Sequence, residues 1–195
     1  MGALVRDPET TARQLTRWLT DVAGRADVTV GAIEIPAATG FSNETILFDA
    51  RWRDGNADAE PTAHRLVVRI APRDYTVFLE ANFEEQFRVM QALGEHSDVP
   101  VPKMLWFEAD PAWFDSPFWI MERVDGEVPS DAPPYATEGW LHDAKPEQQA
   151  KLWWNGIEAM AAVHRVDWRA LGLDFVDDPD RGARGVEQQL RYYED

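Results

Sequence analysis

The stretch "DGEVPSDAPPYATEG", residues 125 to 139, does most to constrain the fold. Gly126, Pro129, Pro133, Pro134 and Gly139 fall close together with little apolar periodicity between them, which marks a linker. All the strand-like runs lie before it. "VTVGAIEI" at 28 to 35, the run opening at "NETILFDARW", "RLVVRI" at 65 to 70, "VPVPKMLWFE" at 99 to 108 and "SPFWIMERV" at 116 to 124 carry the β-branched and aromatic residues of five strands. Residues after the linker read as helix and loop, so the chain is α+β.

Two helices accompany the strands. One spans residues 7 to 24, with Asp7 as cap, Pro8 in the first turn, an apolar stripe of Ala12, Leu15, Leu19 and Val22, and Gly24 as stop. The other runs from Asn82 to Leu93, with Phe83, Phe87, Met90 and Leu93 at helical spacing. Beyond the linker, Pro146 opens a long helix whose Trp153, Ile157, Met160 and Val163 face one way. A further helix begins at Gly185. The predicted organisation is a strand-rich lobe over 1 to 124, a linker over 125 to 140 and a helical segment over 141 to 195.

Composition limits the partners. The net charge of −16, from 35 acidic and 19 basic residues, opposes the phosphate contacts on which duplex binding depends, so nucleic acid is not expected. A single small anion can still be held by a few backbone N–H groups and one guanidinium. Cysteine is absent, which excludes disulfides, thiolate nucleophiles and cysteine-bound zinc. The first residues lack a signal-peptide core and no apolar run is long enough to span a bilayer, so a cytoplasmic protein without a membrane partner is expected. The nine tryptophans sit at helix and strand spacing and read as packing residues.

Two features have a chemical as well as a structural reading. "GFSN" at 40 to 43 is a hairpin turn on conformational grounds alone, and equally a phosphate cradle in which Gly40 admits close backbone approach and Ser42 donates. Arg69 interrupts the apolar run "VVRI". It either points to the exposed face of the sheet or lies under the turn and binds phosphate with its planar fork.

The order of these pieces decides between the readings. Gly-x-Ser-Asn after one strand, "VVRIAP" two strands on, a helix, "VPVP", "FWIMERVDG" and "AAVHRVDW" resemble the aminoglycoside phosphotransferase-like kinases over most of residues 30 to 170. The likeness is greatest to the branch that includes kinase domains fused to acyl-CoA dehydrogenases. It implies a protein-kinase-like amino lobe, with a five-stranded antiparallel sheet and a helix, followed by the first helices of an incomplete carboxyl lobe. Gly40, Phe41, Ser42 and Asn43 would cover the phosphates of ATP, and Arg69 would stand where these kinases usually carry lysine. Met121 would be the gatekeeper. Adenine would meet the Glu122 carbonyl and the Val124 N–H, with Asp125 and Gly126 leading out of the hinge. Gln86 matches the position that orients the phosphate-binding cation, with Glu85 as the alternative.

The resemblance stops short of a catalytic centre. "HRVDW" has the wrong register for a catalytic loop, no Asn follows Asn155, and His164 fits the helix before the catalytic segment, so no catalytic residue or metal ligand is assigned. The chain is therefore expected to be the nucleotide-binding portion of an ATP-dependent kinase acting on a small-molecule hydroxyl acceptor. It would be inactive alone, with the magnesium ligands lying downstream. The alternative is a non-catalytic nucleotide- or protein-binding module, open to self-association through the apolar Trp153 and Met160 side. A Walker A sequence, a nucleophile elbow, metal-spaced histidines and a calcium loop are all missing.

Overall fold

A computed structural model describes residues 6 to 36, 43 to 54, 60 to 72 and 82 to 194. These fall into two units: one runs to Phe87 and includes Pro102–Val124, and the other combines Arg88–Val101 with the residues from Asp125 onward.

In the first unit, helix α1 (Pro8–Asp21) leads into strands β1 (Ala26–Glu34), β2 (Glu44–Arg53) and β3 (Thr62–Ile70). The start of helix α2 (Phe83–His96) and strands β4 (Met104–Glu108) and β5 (Phe118–Glu122) complete it. All neighbours pair antiparallel in the order β1-β2-β3-β5-β4, which is the expected five-stranded sheet.

Alternation gives the sheet two faces. Ile46, Phe48, Ala50 and Trp52 of β2, Leu66, Val68 and Ile70 of β3, and Phe118 and Ile120 of β5 form one core with Leu15, Trp18 and Leu19 of α1. The Asp7 side chain accepts from the Thr10 N–H at 2.8 Å to start that helix, with Pro8 in its first turn. The buried stripe is Thr11, Leu15, Trp18 and Leu19, rotated from the expected one, and Val22 caps the helix half-exposed. Trp18 is the reason for the rotation. Its ring lies 5.2 Å edge-on to Phe118, and its indole N–H donates to Glu108 at 2.8 Å, so a residue that breaks the simple apolar count becomes the largest part of the contact.

Beyond the end of α1, a charged aromatic cluster extends this face. His64 stacks flat on Trp52 at 3.5 Å, and the Trp52 indole N–H donates to Asp54 at 2.8 Å. Arg25 sits over Trp52 and Trp106, at 5.9 and 5.4 Å, and 3.7 Å from Asp54. A groove of about 470 Å³ lies beside these residues. Its charges are matched internally, because Glu122 stands 4.0 Å from Lys103, Arg123 stands 3.6 Å from Glu34 and Arg65 stands 3.9 Å from Asp49.

In the second unit, the four-residue α3 (Trp140–Asp143) precedes α4 (Pro146–His164), and α5 (Gly185–Tyr192) follows two short 3-10 turns. Helix α4 buries no residue, and Trp153, Met160 and Val163 stay exposed, Trp153 by 67%. The periodicity predicted the helix correctly, and its Trp153, Ile157 and Met160 line an open cavity of about 760 Å³ with Tyr135 and Leu141. Among the described residues, no helix is long and apolar enough to cross a membrane.

Two outcomes test this packing. Leu15 is fully buried, so Leu15→Ala should lower unfolding free energy by about 2 to 5 kcal/mol in urea titration; a loss under about 1 kcal/mol would mean α1 does not close the core. The second concerns His64, whose pKa lies below 6.5 because burial disfavours the imidazolium; Asp54 opposes that shift, Arg25 adds to it and Glu122 opposes it. The native state therefore prefers neutral His64. The resulting stability is complete above pH 6.5 and is lost as pH falls through the depressed native pKa. Between pH 7 and 5, the melting temperature of the parent should fall relative to that of His64→Phe; parallel pH profiles would refute the preference of the partly buried imidazole for its neutral form.

Candidate functional site

Arg69 lies in β3 directly opposite Thr45 of β2 and Trp119 of β5. Directly opposed residues of an antiparallel ladder share a face. Arg69 therefore lies on the side away from α1, together with Thr45, Trp119, Val67 and Met121. Its neighbours Val68 and Ile70 are fully buried on the other side. The guanidinium is half-buried, and burial lowers its pKa below the usual arginine range, although the group remains a cation.

Trp119, fully buried, floors this face. The Arg69 guanidinium carbon is 5.8 Å from the Trp119 ring centre, and Phe83 of α2 stacks on the indole at 4.2 Å and 20°. Phe87 and Phe107 complete the aromatic layer, 5.5 Å from each other, with Phe87 6.2 Å from Trp119. The α2 spacing read from the sequence thus seats Phe83 and Phe87 on the sheet.

Of the residues expected to contact a nucleotide, Gly40, Phe41 and Ser42 lie outside the described residues. Asn43 is buried and immediately precedes Glu44, the partner of Ile70, so it stands at the end of the sheet that carries Arg69. Met121 pairs with Val67 and is half-buried on the Arg69 face. The Glu122 side chain belongs to the other face, near Lys103, while its backbone N–H donates to the Lys103 carbonyl at 2.9 Å. Val124 lies past the strand end, 72% exposed, and among the described residues its N–H has no hydrogen-bond acceptor.

Gln86 is not brought to Arg69. It is exposed, and among the described residues no hydrogen bond or ion pair joins Arg69 to Gln86 or Glu85. Trp119 is the residue that sequence reasoning missed. Alternation in "SPFWIMERV" separates Phe118 and Ile120 from Trp119 and Met121, but only the register with β3 puts Trp119 beside Arg69. His164, the last residue of α4, is exposed at that helix's end. Among the described residues no three His, Asp or Glu side chains converge as metal ligands.

The chain matches the sequence model of the phosphotransferase enzyme family over residues 35–195. It is 30% identical over 135 residues to the probable acyl-CoA dehydrogenase IBR3 of Arabidopsis thaliana, covering 69% of this chain and 15% of that protein. It is 24% identical over 139 residues to acyl-CoA dehydrogenase family member 11 of Rattus norvegicus, covering 69% and 17%. Family member 10 of Mus musculus is 27% identical over 130 residues, covering 66% and 11%. The chain thus spans less than a fifth of these relatives. A crystal structure of a "putative aminoglycoside phosphotransferase" from Ralstonia eutropha JMP134 superposes with a TM-score of 0.55 at 24% identity, over 93% of this chain and 46% of that one. That structure shares the fold, and the match over residues 35–195 makes this chain a member of the phosphotransferase enzyme family.

Proposed function

We propose that this chain is the nucleotide-holding part of an ATP-dependent small-molecule kinase, which moves a phosphoryl group to a substrate hydroxyl. Family membership supports phosphotransfer. The single observation that carries the finer reading is Arg69: a cation held half-buried on the sheet face shared with Met121, at the end of the sheet where Asn43 enters β2.

The chain's own groups fit a nucleotide. Arg69 presents a planar fork suited to phosphate oxygens and, partly desolvated, binds them more strongly than it would in water. Asn43, with Gly40, Phe41 and Ser42 before it, would close over the same oxygens. The unengaged Val124 N–H and the Glu122 carbonyl would read the adenine edge, and Met121 would bound the base from behind. Bound ATP supplies the γ-phosphoryl group for transfer.

Among the described residues no three His, Asp or Glu side chains converge, and the ligands for magnesium would lie outside them. These 195 residues are therefore expected to bind nucleotide without turning it over. A cytoplasmic setting suits an ATP-consuming enzyme, and the acceptor is a small hydroxylated molecule.

Calorimetry with ATP and adenosine tests the reading. Losing a charge-assisted contact of about 1.5 to 3 kcal/mol, Arg69→Ala should weaken ATP binding roughly 10- to 100-fold. Adenosine binding should change less than about twofold, since a contact confined to phosphate leaves the nucleoside untouched. Equal losses for both ligands, or none for ATP, would remove the phosphate role. In the same preparation, magnesium-dependent transfer to hydroxylated acceptors at about 1 per second or faster would overturn the expected lack of turnover.

A further inference from the structure

We propose that Trp119 is the positioning residue for the Arg69 guanidinium, and that an aromatic stack running from the first turns of α2 through Trp119 sets where that cation sits. The inference rests on the phosphate-binding reading of Arg69 and adds the question of what orients it.

Three observations carry it. The first is register: Arg69 and Trp119 are direct partners on β3 and β5, so the indole is the neighbour that the sheet itself supplies. A cation within about 6 Å of an indole face is attracted by the ring's electron density, and Trp is the strongest of the aromatic residues in this role. At 5.8 Å the guanidinium carbon meets that distance. Its partial burial removes the water that would otherwise screen the attraction.

The second is the rigidity of the support. Trp119 has no exposed surface, and Phe83 lies nearly parallel to it at 4.2 Å, with Phe87 at 6.2 Å. The α2 residues Phe83 and Phe87 thus reach the cation's neighbourhood through rings. Gln86 and Glu85, the polar side chains of the same turns, make no hydrogen bond or ion pair with Arg69 among the described residues. The link between helix and cation is aromatic where a carboxylate would have made it ionic.

The third is a cost that packing alone leaves unexplained. The Trp119 indole N–H is buried and, among the described residues, has no hydrogen-bond partner. A donor withdrawn from water without an acceptor destabilises the fold, and phenylalanine would fill a hydrophobic layer without that penalty. The indole offers a broader and more electron-rich face, which is what a cation above it uses.

The test compares Trp119→Leu with Trp119→Phe, measuring ATP and adenosine affinity and thermal stability on the 195-residue chain. Trp119→Leu should weaken ATP binding by about threefold to tenfold. It should leave adenosine binding within about twofold, because the ring acts only through the phosphate-binding cation. Trp119→Phe should restore most of the ATP affinity. In an Arg69→Ala background, Trp119→Leu should cause no further loss for ATP, since nothing remains to be positioned. A purely structural tryptophan would give equal losses for ATP and adenosine, or the same ATP loss with and without Arg69; either result overturns the inference. Should Trp119→Leu not fold, Trp119→Phe carries the test: a loss of about twofold for ATP alone supports the inference, and unchanged ATP affinity overturns it. The two readings fail separately. If Arg69→Ala leaves ATP affinity intact, the phosphate role is lost; if Arg69→Ala weakens ATP and both Trp119 variants do not, only the positioning role is lost.

Discussion

The register of β3 between β2 and β5 is the constraint on which the rest depends. Leu66, Val68 and Ile70 are at most 1% exposed and pack beneath α1, so β3 cannot slip by one residue without placing the Arg69 cation in that core and turning three aliphatic side chains outward. A buried unpaired charge costs several kcal/mol or more, and three lost aliphatic burials cost a similar amount again. Hydrophobic packing on one face therefore fixes the direction of a cation on the other. The candidate site gains its precision from a core that it does not touch.

The two faces of the sheet solve burial differently. Under α1, aliphatic residues and Trp18 close a core with paired polar groups at its edge: the Trp18 N–H reaches Glu108, and Arg6 bonds Glu44 at 2.7 Å and the Phe114 carbonyl at 3.0 Å. On the α2 side, rings take the place of aliphatic chains, and the layer tolerates a cation at its edge. Aromatic faces can be apolar toward one another and still attract a positive charge, which branched aliphatic chains cannot do. A protein of net charge −16 can thus keep a local site for an anion, because that site depends on short-range contacts and not on the global field.

Much of this was legible in the sequence because strand composition and helical spacing are local signals. The five strands and the pairing of Phe83 with Phe87 on one side of α2 follow from such signals, while the antiparallel sheet of all five came from the resemblance to the kinases. Boundaries were less legible. β3 begins at Thr62, three residues before the "RLVVRI" run, because it is paired along β2 as far as Trp52. β4 begins only at Met104, after Pro100 and Pro102, which lack the N–H a ladder requires. The α1 stripe turned toward Trp18 through contacts with β4 and β5 that lie far away in sequence. Trp119 was missed for the same reason: its importance comes from what stands opposite it, and a strand's own residues do not name their partners. For α4 the apolar period marked a face correctly, but a period cannot say whether anything covers it.

Arginine at position 69 and glutamine at position 86 become parts of one arrangement when Trp119 is included. A lysine ammonium is a compact, strongly hydrated charge on a flexible stem, and it needs a carboxylate to hold it in one place. A guanidinium is planar and weakly hydrated, so it can rest one face against an indole while its edge keeps the fork that suits phosphate. Under the proposed reading, such a support makes an acidic partner on α2 unnecessary. Exchanging the ionic anchor for an aromatic one is then a consistent change at three positions, in which the cation, the floor beneath it and the helix residue that no longer needs a charge each make sense of the other two.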